Sequence, residues 1–288
     1  MADVVVYMHG VVGRTTGAHV ADYRAIHKGL RKAGVRLPAL TDSVTVEWGW
    51  PTPEATRTGD LALAQERLSL ALAQTPAGDR LTGFLVSPLR QLIQYGWSDI
   101  VYYTSAEGEV AARHDAWSQI LDRVPADEAI DLTVISHSLG SLLAHDFLFY
   151  LFSGKRQIER SEVCANPTQW DSAQVNWRLR RLVTMGSPLG PLLVRAPGFV
   201  QRLAHEPPPW LDPADIGLDD IAHSGARPVW LNVWDRHDVV SFPVSGIYGA
   251  GDRIRDLYPD VSDWPPRAHG RYWKSRKVHK ALARFWDS

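Results

Sequence analysis

One stretch constrains the fold of this chain more than any other. Asp131, Leu132, Thr133, Val134 and Ile135 lead into Ser136-His137-Ser138-Leu139-Gly140, and an apolar run follows through Leu142, Leu143, Phe147, Leu148 and Leu151. The β-branched apolar segment is what a central parallel strand covered on both faces looks like. The residues after Gly140 repeat apolar positions three and four apart, as a buried helix does. Between strand and helix sits a corner of small residues. A Ser at such a corner is held in a strained backbone conformation with its hydroxyl above the sheet edge. Bulky residues two positions either side would clash there, and Ser136 and Gly140 are small. The helix N-terminus aims free N–H groups and a positive partial charge at the same point, which favours an oxyanion forming. Ser138 is the candidate nucleophile. A plain strand-to-helix turn with a Ser cap is the competing reading, and an acid and a His elsewhere must decide between them.

The rest of the chain alternates in the same manner. Residues 4–8 read as a strand, His9-Gly10-Val11-Val12-Gly13 as a glycine turn, and residues 20–32 as a helix with Tyr23, Ile26 and Leu30 at helical spacing. The glycine turn fails as a phosphate loop, because only Val11 and Val12 separate its glycines and Arg14 follows instead of a Lys-Ser/Thr pair. Further strands are expected at 44–48, 182–185, 229–234 and 254–258, and helices at 54–74, near 84–95, at 109–124 and at 273–286. Residues 153–177 look polar and irregular, and Arg178, Arg180 and Arg181 read as the solvated start of the next strand. Trp48 and Trp50 lie near a strand's C-terminal end, the edge where open parallel sheets bind ligands; core packing accounts for them equally well. Met185, at the end of strand 182–185, and Trp210 are further candidates for a substrate pocket.

The acid and the base come late in the chain. The strand at 229–234 leads into Asp235-Arg236-His237-Asp238-Val239-Val240. Asp238 is the candidate acid and Asp235 the runner-up. A metal site built from Asp235, His237 and Asp238 is disfavoured, since residues of one tight turn rarely converge on one ion. After the strand at 254–258 and a Pro-rich turn comes His269-Gly270-Arg271-Tyr272-Trp273, with His269 the candidate base. His279, inside the final helix, reads as a surface residue, and His137 as pointing away from the nucleophile.

Strand, Ser136-x-Ser138-x-Gly140 corner and helix, followed in chain order by Asp238 and His269, strongly resemble the nucleophile elbow and catalytic triad of the α/β-hydrolases. Ser136 replaces the usual first Gly of that motif. The resemblance covers nearly the whole chain and implies a compact α/β-hydrolase fold: one domain over 1–288, a mostly parallel sheet of about six strands with helices on both faces, and a short lid. The two N-terminal edge strands of larger members would be missing, and residues 191–228, with Pro207-Pro208-Pro209-Trp210, would be the lid. It further implies an oxyanion hole formed by the N–H groups of Val11 (or Val12) and Leu139, and a carboxylic ester, thioester or lactone substrate cleaved through an acyl-enzyme. No metal or organic cofactor is implied. An acyltransferase with the same triad, and a non-catalytic relative used for binding, are the alternatives.

Composition excludes other classes. Lys and Arg number 31 against 32 Asp and Glu, so nothing marks nucleic acid or an acidic membrane as a partner. A single cysteine, Cys164, cannot close an internal disulfide. No apolar run reaches the ~20 residues that span a bilayer, and the opening Met1-Ala2-Asp3 does not resemble a signal peptide. A cytoplasmic protein acting on a small ester or acyl substrate is expected, with oligomeric state not legible. Basic residues between Arg267 and Lys280 fit either an anionic substrate or a solvated final helix.

Overall fold

The computed structural model describes residues 2–10, 19–48, 103, 106–152, 166–192, 216–217, 228–248 and 253–286. Strand β3 (Ile130–His137) is buried along its whole length, as a run without polar alternation must be when both faces are covered. It lies within a six-stranded sheet whose pairs are all parallel. Across the sheet the order is β2 (Val44–Val46), β1 (Ala2–Met8), β3, β4 (Trp177–Met185), β5 (Trp230–Val233) and β6 (Ile254–Leu257). Parallel neighbours cannot be joined by a hairpin and need a crossover. Helix α1 (Val20–Lys32) lies between β1 and β2 in the chain, α2 (Ala106–Leu121) precedes β3, α3 (Gly140–Phe152) and α4 (Pro167–Asn176) join β3 to β4, and α5 (Arg276–Arg284) follows β6. The fold is α/β, with helices on both faces of the sheet.

The two faces follow from strand alternation. On β1, Val6 and Met8 join Leu132, Val134 and Trp230 in a core covered by α2, α3 and α4. Val5 and Tyr7 point the other way, joining Ile135, Val183 and Leu231 in a second core covered by α1, α5 and the 3-10 turn His269–Lys274. Side chains of a strand face opposite sides at successive residues, so one sequence supplies both cores. Between the layers runs a buried polar chain. The Trp230 indole donates to Thr184 Oγ1 at 2.9 Å, Thr184 donates to Asn232 Oδ1 at 2.7 Å, and Asn232 Nδ2 donates to Asp256 Oδ1 at 2.6 Å. Asp256 also accepts from the N–H groups of Val244 and Ser245, which ties the loop after β5 to β6.

Three expectations need correction. Residues 167–176 are helical, not irregular: Asn166 caps α4 by accepting from Gln169 N, and Pro167 occupies the first turn, where its missing N–H costs nothing. Strand β4 begins at Trp177, not 182, with Trp177 and Leu179 buried and Arg178 and Arg180 outward. Arg178 pairs with Asp131 on the neighbouring strand β3, and Arg180 reaches past β3 to Asp3 on β1. The register then shifts, with Leu132 opposite Leu179 but Thr133 opposite Arg181. That irregularity turns Arg181 inward. It is buried, not solvated, because its guanidinium donates to the Phe285 and Trp286 carbonyls and lies 5.0 Å from the Trp286 ring centroid.

Val11, Val12, Trp50, Cys164 and Trp210 lie outside the described residues, as do the expected helices at 54–74 and 84–95 and most of 191–228. Among the described residues no helix is long and apolar enough to cross a membrane.

Arg181→Met keeps the aliphatic stem and deletes the donors to residues 285 and 286. Unfolding in urea is expected to show a loss of about 2 kcal/mol, the scale for stranding buried carbonyls that a charged donor had satisfied. A loss below about 0.5 kcal/mol would mean this tie contributes nothing.

Candidate active site

Sheet register assembles the site. Met8 lies opposite Ser136, so His9-Gly10 runs beside His137-Ser138, and Met185 lies opposite His137. The turns after β1, β3, β4, β5 and β6 therefore meet at one edge, the C-terminal ends of the strands.

Ser138 sits at the corner between β3 and α3 with φ at 53°, in the left-handed region that costs a non-Gly residue about 1–2 kcal/mol. Its N–H donates to the Met185 carbonyl at 2.9 Å, which anchors the corner to β4. Packing on the other side leaves no room. A Cβ on Gly140 would run into the His9 carbonyl, and one on Gly10 would lie 2.5 Å from Ser138 Cβ and 3.0 Å from its Oγ. The two glycines let the turn after β1 and the corner after β3 press against each other. Just beyond Ser138, the N–H of Leu139 donates to no described group, as expected at the open N-terminal end of a helix.

Three side chains form a continuous hydrogen-bonded line. Ser138 Oγ lies 2.8 Å from His269 Nε2, and His269 Nδ1 lies 2.9 and 3.1 Å from the two Asp238 oxygens. With Nδ1–H donated to the carboxylate, Nε2 is left as an acceptor for the serine proton. The Asp238 side chain is fully buried. It also accepts from Tyr272 OH at 2.9 Å and from Val240 N at 3.2 Å. Burial alone would raise its pKa, but the His269 contact, then Tyr272 and Val240, outweigh it and hold the carboxyl below the usual range. Tyr272 is pushed up, first by burial and then by Asp238, so it stays a neutral donor.

His137 does not point into empty space. Its Nε2–H donates to the His269 backbone carbonyl at 2.8 Å, and its ring lies 4.8 Å from the His269 ring, between centroids. Burial, and then the charge of His269, lower its pKa to about 3. It is a neutral imidazole fixed beneath the base. His9 is likewise neutral, lowered to about 3 by burial and by His19. Its Nδ1–H donates to the Gly10 carbonyl, and its Nε2 accepts from Trp48 N at 3.3 Å.

The other expected positions fall differently. Asp235, the runner-up acid, accepts from the N–H groups of His237, Val261 and Ser262, so it closes loops and does not face His269. Asp235, His237 and Asp260 bring ligand-type atoms within 4.8 Å of one another, but the Lys277 ammonium already sits on Asp260, 2.8 Å from its carbonyl and 3.3 Å from Oδ2. Trp48 is a core residue whose indole N–H donates to the His9 carbonyl at 2.8 Å. Met185 is fully buried beneath the site. His279, expected on the surface, is buried, with Nε2–H donated to Trp273 O at 2.9 Å. Tyr272 is a site residue the sequence did not single out, and His137 was read only as pointing away from the nucleophile, with no contact to His269 foreseen. Tyr272 could have been found, since it follows His269 by one helical turn and so shares its face.

Chemically, the line of hydroxyl, imidazole and buried carboxylate can move a proton off Ser138 and hold the imidazolium that results. No family model and no curated protein sequence matches the chain.

Because the folded-state pKa of Asp238 lies below the unfolded value of about 3.9, its ionised form adds stability that is fully present above that value. The contribution is lost as pH falls through the folded value. Between about pH 5 and pH 2 the urea midpoint of the wild type is therefore expected to fall more steeply than that of Asp238→Asn. Parallel curves would show that the carboxylate gains nothing from its donors.

Proposed function

We propose that this chain is an α/β-hydrolase-type serine hydrolase that cleaves a carboxylic ester, thioester or lactone. The observation that carries the reading is the unbroken line Ser138 Oγ to His269 Nε2 to Asp238, at 2.8 and 2.9 Å. It joins a strained serine at a strand–helix corner to an imidazole whose tautomer a buried carboxylate fixes.

In this mechanism Ser138 attacks the substrate carbonyl while His269 Nε2 takes its proton, giving a tetrahedral oxyanion. The Leu139 N–H is a donor for that oxygen, and an N–H from the turn after Gly10, at Val11 or Val12, is the second. His269 then protonates the leaving group, an acyl-enzyme remains, and His269 activates the water that releases it. Asp238 stays ionised throughout and stabilises the imidazolium. The neutral state of His137 matters here, since a second positive ring under His269 would oppose the charge that forms.

A fluorophosphonate probe is expected to label the wild type and not Ser138→Ala, and nitrophenyl esters of graded chain length to give a rate optimum that defines the acyl pocket. Ser138→Ala is expected to lower kcat by about 10⁴-fold or more. Equal labelling of both proteins would reject the mechanism. His137→Phe preserves bulk but strands the His269 carbonyl. It is expected to lower kcat about tenfold with KM unchanged, because it displaces the base without touching substrate. An unchanged kcat would return His137 to a purely structural role.

A further inference from the structure

The basic residues near the end of the chain find no use in the mechanism above, and the structure gathers some of them into a groove. It lies between α1 and α5 and encloses about 480 Å³. Lys28 and Lys32 of α1 face Arg276 and Lys280 of α5 across it, with Gly29 and His279 between them, and no carboxylate lines it. The whole chain carries as many acids as bases, to within one charge, so this is local placement and not composition.

The surrounding surface shows that acids are at hand for cations that face elsewhere. Lys274 pairs with Asp22 at 2.8 Å and Lys277 with Asp260 at 3.3 Å. Lys28, Lys32, Arg276 and Lys280 have no ion pair among the described residues. Four like charges around one hollow repel one another unless an anion screens them. The first turn of α5 adds to this. It holds Arg276 and no acid, although the positive end of a helix dipole favours acids there.

The floor of the groove is the largely buried imidazole of His279. The His279 ring lies so close on Gly29 that a Cβ there would collide with it. Its Nε2 is committed to the Trp273 carbonyl, while its Nδ1 has no partner among the described residues. Trp273 belongs to the 3-10 turn His269–Lys274, which α1 and α5 both pack against. The groove is thereby connected through one side chain to the turn that carries His269.

We propose that the α1–α5 groove binds a phosphate-bearing ligand with two or more negative charges, and that its occupancy steadies the 269–274 turn. The phosphate belongs either to a soluble metabolite or to a lipid headgroup, since both present the same oxygens to Lys and Arg. The binding itself does not depend on the hydrolase reading; only its consequence for His269 does.

Titration calorimetry of the full chain with sodium tripolyphosphate at low ionic strength tests it. Saturable binding at one site per chain is expected, weakened by added salt, weakened about tenfold or more in Lys28→Ala/Lys280→Ala, and unchanged in Lys277→Ala and Ser138→Ala. Both altered lysines in the double variant are on helix surfaces, and a circular dichroism melt verifies its fold. Absence of saturable heat, or equal affinity in the double variant, overturns the proposal. Co-sedimentation with phosphatidylcholine vesicles containing a phosphatidylinositol phosphate separates the two sources: capture that tripolyphosphate reverses assigns a lipid headgroup, and tripolyphosphate binding without capture assigns a soluble ligand. Amide hydrogen exchange at residues 269–274 is expected to slow with tripolyphosphate bound. Binding without that slowing overturns the coupling to the turn. Binding together with an absent fluorophosphonate signal would sink the hydrolase reading and leave the groove standing.

Discussion

The arrangement at the sheet edge depends on one buried carboxylate. Asp238 lies past the end of β5 with no exposed side-chain surface, and a lone ionised carboxylate in such a place would be expensive. Two donors from the 269–274 turn, His269 Nδ1 and Tyr272 OH, and one from its own loop, Val240 N, satisfy it. Those same contacts hold the turn against the sheet, so the acid that would tune the base also places it. Removing Asp238 would strand a histidine and a tyrosine together.

Histidines do two different jobs around this carboxylate. His269 remains partly exposed and holds both ring nitrogens in one hydrogen-bonded line. His9 and His137 are buried and neutral, each directing an N–H at a carbonyl of a turn: Gly10 for one, His269 for the other. A neutral imidazole is well suited to this task, being a rigid donor that adds no charge beside the buried carboxylate and its partners. The glycine pair Gly10 and Gly140 completes the same scaffold by letting main chain meet main chain.

Much of this was legible because it is written in local pattern. Alternation on β1 and the continuous apolar run of β3 predict which faces are buried, and small residues around Ser138 predict a tight corner. The choice of Asp238 over Asp235 matches where the two carboxylates point, since only Asp238 faces His269. What was not legible depends on partners distant in sequence. His137 is oriented by strand alternation, but the carbonyl it meets lies 132 residues later. Arg181 read as solvated because cations usually are, and nothing local foretells that two late carbonyls will cover it. Helix α4 was missed although Asn166-Pro167 is a start signal, because its buried residues are few, Trp170 and Ala173.

The sheet order has a consequence for how the protein is made. β1 sits between β2 and β3, and Val5 pairs with Thr133, so among the described strands β1 gains its longer neighbour only after the chain between residues 9 and 129 has been synthesised. Until then it has β2 alone, paired over three residues, and a short parallel pair is marginal in water. The nascent chain thus carries an apolar, only partly paired Val-Val-Val-Tyr-Met segment until β3 is made. Such a segment invites misassembly until β3 emerges.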